Sequence, residues 1–250
     1  LTHLNVMENN VRSLAPLAEL PQLAALTAGY NPIESLTPLS EIQSLVIFNA
    51  RNIGVSDFSP LAGLHGMIGV WVGENPIDTL DWLSGMTALR HLIIHDAEID
   101  DLAPISGLAE LVQLNLENNA ITDLSAIEGL FQLQRLDVRR NNISTLPSLG
   151  GLGDLSVAFF TGNRISDLTS LSDAPSLTWL MLDSNRIQDI EPLLQLHSLT
   201  DLSLTLNRLD LGDDSPVSDQ IERLIEQGVM VDVTPQSPIN YFAVPPSSAE

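Results

Sequence analysis

One pattern of leucine positions recurs every 22 residues along most of this chain. Its units follow one another without insertion or deletion, and nine complete units end at Ser198. Ten units begin at Leu1, Leu23, Leu45, Met67, Leu89, Leu111, Leu133, Leu155, Leu177 and Leu199. A repeat of this length cannot bury a hydrophobic core alone, so each unit must stack on its neighbours. The period therefore predicts one continuous solenoid over most of the chain.

Each position within a unit has its own physical preference, and we number these positions as slots 1 to 22. Apolar slots 4 and 6 alternate with slots 3, 5 and 7, which predicts a short strand with one buried face. Slot 13 is Ser, Thr or Asp in all nine complete units, and Pro is frequent at slot 16. This combination predicts a capped 3₁₀ or short helical turn on the other side of the core.

Slot 9 is the most regular polar position of the repeat. It is Asn in eight of the ten units, namely Asn9, Asn31, Asn75, Asn119, Asn141, Asn163, Asn185 and Asn207. Ile53 and Ala97 replace it in the other two units. An amide both donates and accepts hydrogen bonds, so stacked Asn side chains can satisfy the backbone groups of adjacent turns. We therefore predict an asparagine ladder along the solenoid.

The full consensus is LxxLxLxxNxIxxLxPLxxLxx. It is clearest in Leu111, Leu114, Leu116, Asn119, Ile121, Leu124, Ile127 and Leu130. This pattern resembles the leucine-rich repeat family, and within it the 22-residue class of bacterial internalin-like proteins. The resemblance implies an α/β solenoid: a right-handed horseshoe or arc with a parallel β-sheet on its concave side and short turns on its convex side.

The period stops after Leu211, and a different pattern follows. Ser215 and Pro216 predict the start of a helix, Gly228 predicts its end, and an apolar strand follows. We interpret residues 215–233 as a C-terminal cap that covers the last unit, so the repeat domain spans residues 1–233. The proline-rich remainder, residues 234–250, is expected to be a linker or a disordered tail.

Composition narrows the classes of partner. The chain has 32 acidic residues, 10 arginines, no lysine and a formal charge of −22. This charge argues against nucleic acids and anionic lipids as partners. We find neither an apolar run long enough to span a membrane nor a signal peptide, and the start at Leu1 suggests that further residues precede it. The absence of lysine fits a salty or extracellular setting, or a biased codon usage.

Residues suited to catalysis or metal binding are sparse. His91 and His95, next to Asp96, form the most suggestive group, but residues four apart in a strand lie about 13 Å apart and cannot share one ion without a bulge. The absence of cysteine excludes disulfides and thiolate sites. No nucleophile or phosphate-binding motif occurs. We therefore expect no enzymatic activity, no cofactor and no metal ion.

The expected solvent-facing slots of the sheet contain large apolar and charged side chains. The candidate ligand-binding residues are Ile47, Trp71, His91, Ile93, His95, Arg135, Asp137, Arg139, Arg140, Phe159, Trp179 and Met181. Exposed aromatic residues are typical of contact surfaces, and arginine can form two hydrogen bonds to one carboxylate. The alternative interpretation is that the rings only cover neighbouring side chains on a curved sheet.

These observations favour a non-catalytic module that binds a protein or peptide on its concave sheet. We expect a bacterial protein, secreted or at the cell surface. The alternative is a structural subunit of a surface layer or filament, which would self-associate through exposed repeat ends or faces. An intracellular phosphatase regulator is a further possibility that rests on the family resemblance alone.

Overall fold

The computed structural model describes residues 1–236. Within them, eleven strands form one parallel sheet whose order follows the chain. The strands are β1 His3–Asn5, β2 Ala25–Thr27, β3 Ile47–Asn49, β4 Gly69–Trp71, β5 His91–Ile93, β6 Gln113–Asn115, β7 Arg135–Asp137, β8 Val157–Phe159, β9 Trp179–Met181, β10 Asp201–Ser203 and β11 Met230–Asp232. Strands β1 to β10 each occupy slots 3 to 5 and pair slot for slot, as Leu92 does with Leu114. The predicted leucine-rich repeat solenoid is confirmed.

Across the core from the sheet, the chain forms short 3₁₀ helices. They are Ala15–Glu19, Thr37–Leu39, Ser59–Leu61, Asp81–Leu83, Ala103–Ile105, Ser125–Ile127, Thr169–Asp173 and Glu191–Gln195. In the units that form these helices, the slot 13 side chain accepts a hydrogen bond from the backbone N–H two residues later, as in Asp57 from Ser59 at 2.9 Å. Hydrogen bonds from the hydroxyl and backbone of Ser59 lower the pKa of Asp57. The cap lies one residue earlier than a standard N-cap, a position that Phe58 occupies.

The predicted asparagine ladder connects adjacent units through the backbone. The Asn141 side chain is 7% exposed. Its Nδ2 donates to the carbonyl oxygens of Leu116 at 2.9 Å and Val138 at 3.0 Å, and its Oδ1 accepts from the N–H of Ile121 at 3.0 Å. One amide side chain thus forms hydrogen bonds with two successive repeat units, which we also call rungs. The ladder therefore holds the rungs in register.

The residue before the ladder position is left-handed in every unit. These slot 8 residues are Glu8, Tyr30, Asn52, Glu74, Asp96, Asn118, Arg140, Gly162, Ser184 and Leu206, with φ between 51° and 74°. Gly162 is the one glycine among them, so nine side chains adopt a conformation that costs about 1 kcal/mol each. Sequence analysis missed this feature because a glycine, the usual signal, is absent from most units.

The predicted C-terminal cap contains helix α1, Pro216–Glu226, and strand β11. The Ser215 hydroxyl accepts from the N–H of Val217 at 3.2 Å, as expected of an N-cap. Leu224 is fully buried, whereas Ile225 on the same helix is 56% exposed. Among residues 1–236 the 11-residue α1 is the longest helix, and no helix there combines the length and apolarity needed to cross a membrane.

Residues 234–236 continue the ladder beyond the predicted boundary at residue 233. Gln236 follows β11 at the spacing that separates slot 9 from the preceding strands. Its Nε2 donates to the Leu204 carbonyl at 3.0 Å, and its Oε1 accepts from the N–H of Leu209 at 3.3 Å. Gln236 therefore takes the role of a ladder asparagine for the last unit. The rest of the expected tail, 237–250, lies outside the described residues.

Candidate binding surface

The candidate residues form two groups on the sheet face opposite the core, which we call the concave face. Side chains at slots 3 and 5 share this face because they alternate with buried slot 4. The first group, on and after β3 to β5, comprises Ile47, Trp71, His91, Ile93 and His95. The second group, on and after β7 to β9, comprises Arg135, Asp137, Arg139, Arg140, Phe159, Trp179 and Met181.

Phe159 is the centre of the second group, and it is buried rather than exposed. Only 5% of Phe159 is accessible, whereas Trp179 on the next strand is 44% exposed. The two rings meet edge to face, with centres 5.3 Å apart and an angle of 81°. The guanidinium carbons of Arg135 and Arg139 lie 4.8 Å and 5.5 Å from the centre of the Phe159 ring. Phe159 thus supports its neighbours and leaves Trp179 as the accessible ring.

Arg139 is already paired within the protein. Its Nε and Nη2 donate to the two carboxylate oxygens of Asp137 at 2.8 Å and 2.6 Å, and Nη2 also donates to Glu117 at 2.8 Å. The bonds to Asp137, followed by the charges of Asp137 and Glu117, raise the pKa of Arg139 against an opposing effect of burial. Asp137 is 3% exposed, so Arg139 neutralises a buried charge. The fork that we expected to face a partner is therefore already occupied by internal carboxylates.

Arg135 differs from Arg139 in that no carboxylate of the described residues pairs with it. Its side chain is exposed, it stacks on the Phe159 ring, and it forms no ion pair within residues 1–236. Its guanidinium therefore keeps a free planar fork above an aromatic support. A groove beside Trp179 adds an apolar lining from Met181 and Met230. Together these side chains present a cation, an aromatic ring and apolar surface within five neighbouring strands, β7 to β11.

In the first group, glycines make room for the rings. A Cβ added at Gly69 would lie 2.4 Å from the Trp71 indole, and one at Gly73 would lie 2.7 Å from the His95 ring. Trp71 also stacks on His91, with ring centres 6.2 Å apart. Trp71 is half-buried, so it covers the bare backbone of its own strand. These contacts agree with the interpretation in which rings cover neighbours, whereas Trp179 remains accessible.

His95 lies in an ion network that extends beyond the neighbouring Asp96 noted in the sequence. Ligand atoms of Glu74, His95 and Asp96 lie within 4.8 Å of one another. Arg51 donates to Glu74, and the imidazole Nδ1 of His95 lies 2.6 Å from Asp96. A hydrogen bond from Asn118, then those from His95 and the charge of Arg51, lower the pKa of Asp96. The guanidinium of Arg51 already supplies a positive charge to these carboxylates. His91 is not one of the three residues whose ligand atoms lie together. Slots 7 and 8 of adjacent units hold these residues, which is the only sequence signal for the network.

Arg140 lies apart from the other members of the second group, which we call the Phe159 group. It has the left-handed φ of slot 8, 55°, so its side chain leaves the sheet at the end of the strand. The Arg140 side chain is exposed, and its Cγ would lie 3.5 Å from a Cβ added at Gly162 of the next unit. It therefore belongs to the edge of the solenoid beyond the sheet.

The parallel sheet, the slot pattern and the asparagine ladder define a leucine-rich repeat fold, as the comparisons with known structures also show. The chain is similar to an internalin, InlF, from Listeria monocytogenes, with 24% identity, a TM-score of 0.64, and coverage of 95% of this chain and 82% of that one. It is also similar to a leucine-rich repeat protein of Leptospira interrogans, with 20% identity, a TM-score of 0.83, and coverage of 92% of this chain and 59% of that one. The functional domain of InlJ from Listeria monocytogenes matches with 20% identity, a TM-score of 0.65, and coverage of 93% of this chain and 53% of that one.

At these identities the likeness concerns the fold, and the chain spans little more than half of the second and third structures. No family model and no curated protein matches the chain.

Proposed function

We propose that this protein is a non-catalytic recognition module that binds a protein or peptide through its concave face. The observation that carries this proposal is the pairing of exposed Trp179 with free Arg135 over the buried ring of Phe159. Binding energy at protein interfaces concentrates in a few aromatic and arginine residues on a rigid base. The likeness to internalin structures supports the same class of function.

The proposal assigns direct contact with a partner to only some of the candidate residues. Trp179 and Met181 would bury apolar area, and Arg135 would bind a carboxylate without losing an internal partner. Phe159, Asp137 and Arg139 would act by holding these side chains in place, because they are buried or paired with one another. Preorganised side chains lose little conformational entropy on binding.

Selection of peptides from a random display library tests the proposal. We expect peptides selected on the native protein to lose most of their affinity for Trp179→Ala and for Arg135→Gln. The matched control is Phe131→Ala, because Phe131 is also an exposed aromatic residue, at 60%, but lies at slot 21, outside the sheet. Peptides that bind all three variants as tightly as the native protein would exclude the concave face as the site.

The alternative proposal, assembly into a layer or filament, rests on the two outer strands. Strand β1 pairs with β2 and strand β11 with β10, and their ends carry exposed apolar residues: Leu1 is 67% and Met230 is 66% exposed. Sedimentation at rising protein concentration separates the two functions. A constant monomer mass favours the recognition module, and a mass that grows with concentration favours assembly.

We place the protein outside the cell or at the surface of a bacterium as part of the same proposal. The similar structures come from Listeria monocytogenes and Leptospira interrogans. Fractionation of the native host with an antibody against this domain tests the location. Recovery in the culture medium or with the cell envelope supports it, and recovery with the cytosol contradicts it.

A further inference from the structure

One edge of the solenoid, at the carboxyl ends of the strands, is formed by slots 8, 10 and 12. Their side chains point to solvent because they alternate with the buried slots 9 and 11, as in the stretch from Ser184 to Gln188. We call this surface the slot 8–12 edge. It lies beside the concave face and is separate from the Phe159 group.

Charge changes sign along the slot 8–12 edge. Units 1 to 5 place seven acids and one arginine there: Glu8, Arg12, Glu34, Glu74, Asp78, Asp96, Glu98 and Asp100. Unit 6 contributes no charge. Units 7 to 10 place four arginines and one acid there: Arg140, Arg164, Arg186, Arg208 and Asp210. Thus four of the ten arginines of an acidic chain lie on the part of this edge formed by units 7 to 10.

Three of these arginines are held in register by the backbone. The N–H groups of Arg164 and Arg186 donate to the slot 11 carbonyl of the preceding unit at 2.8 Å, and that of Arg208 does so at 3.0 Å. Successive rungs therefore place the arginines at about the strand spacing of 4.8 Å. Arg140 leans towards the same row, because its stem lies over Gly162 at slot 8 of the next unit. We call Arg140, Arg164, Arg186 and Arg208 the arginine row.

The side chains of the arginine row are exposed and form no ion pair within residues 1–236. This contrasts with Arg12, Arg51, Arg139 and Arg223, each of which pairs with a carboxylate. The nearest acids in sequence cap turns instead: Asp167 accepts from the N–H of Thr169 at 2.9 Å. Like charges on adjacent rungs repel one another, so the free protein gains nothing from this arrangement.

We propose that the arginine row binds a linear acidic polysaccharide that carries one carboxylate on each sugar. Each guanidinium offers a planar fork to a carboxylate, and the row repeats at a spacing close to the length of one sugar unit. Aromatic residues are absent from slots 8, 10 and 12 of units 7 to 10, so these units lack the aromatic anchors typical of protein interfaces. Leu206, at 43% exposure, is the one large apolar side chain in these slots, and it lies in the last unit. A ligand that contributes mainly charge and hydrogen bonds fits this surface best.

The formal charge of −22 does not oppose this local binding. Charges are screened over about 8 Å at physiological ionic strength, so a bound polymer responds mainly to the residues beside it. The acidic half of the same edge then limits the contact to units 7 to 10. The whole-chain charge disfavours unspecific binding of polyanions, and the row defines the one stretch of this edge where an acidic polymer is attracted.

Binding of fluorescently labelled oligogalacturonate tests the proposal. We expect the native protein to bind it at low salt and to lose affinity as salt rises. The triple variant Arg164→Gln, Arg186→Gln, Arg208→Gln should bind about thirtyfold more weakly, at about threefold for each exposed ion pair. The slope of log affinity against log salt should fall by roughly one for each arginine removed.

The matched control is Arg90→Gln, because Arg90 is also exposed and unpaired among the described residues but lies at slot 2. We expect this variant and Trp179→Ala to bind oligogalacturonate as the native protein does, which separates this site from the concave face. Equal binding by the triple variant, or binding of neutral dextran as tight as that of oligogalacturonate, would overturn the proposal. Preference for poly-L-glutamate over oligogalacturonate would also overturn it, by indicating an acidic protein segment as the ligand.

Discussion

Replacing Asn119 with Ala removes a ladder amide that serves two units. Its Nδ2 donates to the carbonyls of Ile94 at 2.7 Å and Leu116 at 3.0 Å, and its Oδ1 accepts from the N–H groups of Ala97 at 3.1 Å and Ile99 at 3.0 Å. A buried polar group that loses its partner costs about 1–3 kcal/mol. Losing all four bonds without any relaxation would thus be a severe destabilisation.

The chain itself shows how much of that loss can be recovered. Ala97 already stands at slot 9 in unit 5, and there the N–H of Ile77 donates to the carbonyl of Asn75 at 2.9 Å instead of to a ladder amide. The N–H of Ile33 makes the same substitute bond to Asn31 at 2.9 Å beside Ile53. Because the backbone can redirect this donor, we expect Asn119→Ala to lower the free energy of unfolding by about 2 kcal/mol.

Urea and thermal unfolding followed by circular dichroism measure this change. A loss of about 2 kcal/mol should lower the midpoint of thermal unfolding by roughly 4–8 °C in a domain of this size. The control is Asn142→Ala, one residue beyond the ladder position of its unit, where we expect a change below about 0.5 kcal/mol. An unchanged midpoint for Asn119→Ala, or an equal loss in the control, would refute the role of the ladder.

Four other substitutions probe the surface and the backbone. Phe159→Ala should lower the free energy of unfolding by about 3 kcal/mol because a buried ring is lost, whereas Trp179→Ala should lower it by less than about 1 kcal/mol. Equal thermal midpoints for the two variants would contradict the supporting role of Phe159. Gly162→Ala should destabilise by about 1 kcal/mol because φ is 74° there, and an unchanged urea midpoint would exclude that strain. The pKa of folded Asp96 is lowered, chiefly by Asn118, from an ordinary value of 3.8. The stabilisation by ionised Asp96 is therefore present above pH 3.8 and is lost as the pH falls through the pKa of the folded state. We expect the native protein and Asp96→Asn to differ in urea midpoint near pH 7 and to converge in acid. A difference that widens in acid would contradict this reasoning.

The burial of each ring determines how a loss of peptide binding in its alanine variant is interpreted. Sequence analysis treated Phe159 and Trp179 alike, as rings at solvent-facing slots of the sheet. In the structure Phe159 is buried, with 5% exposed, whereas Trp179 is accessible as expected, with 44% exposed. A loss of peptide binding in Phe159→Ala is therefore interpretable only beside its stability, whereas the same loss in Trp179→Ala reports contact directly.

Periodicity alone determined the solenoid, its register and its ladder. Leu114 pairs with Leu92 and Leu136, and Asn141 binds the backbone of the adjacent unit, because every framework contact joins equivalent slots of neighbouring units. A chain with one fixed period repeats the same solution at each rung. The period could not indicate the left-handed slot 8 residues, since most carry side chains that usually avoid that conformation.

Tertiary structure decided which face residues are available to a partner. Arg139 is paired because Asp137 and Glu117 lie beside it, Arg135 stays free over the ring of Phe159, and Trp71 covers a strand that has glycine at slot 3. Glu117 and Phe159 lie on adjacent units, 20 to 24 positions from the arginines they contact, whereas Asp137 and Gly69 lie two positions from their partners. No period prescribes which residues occupy these non-framework slots. The framework is therefore readable from sequence because its contacts repeat, whereas the binding surface needs coordinates because its contacts do not.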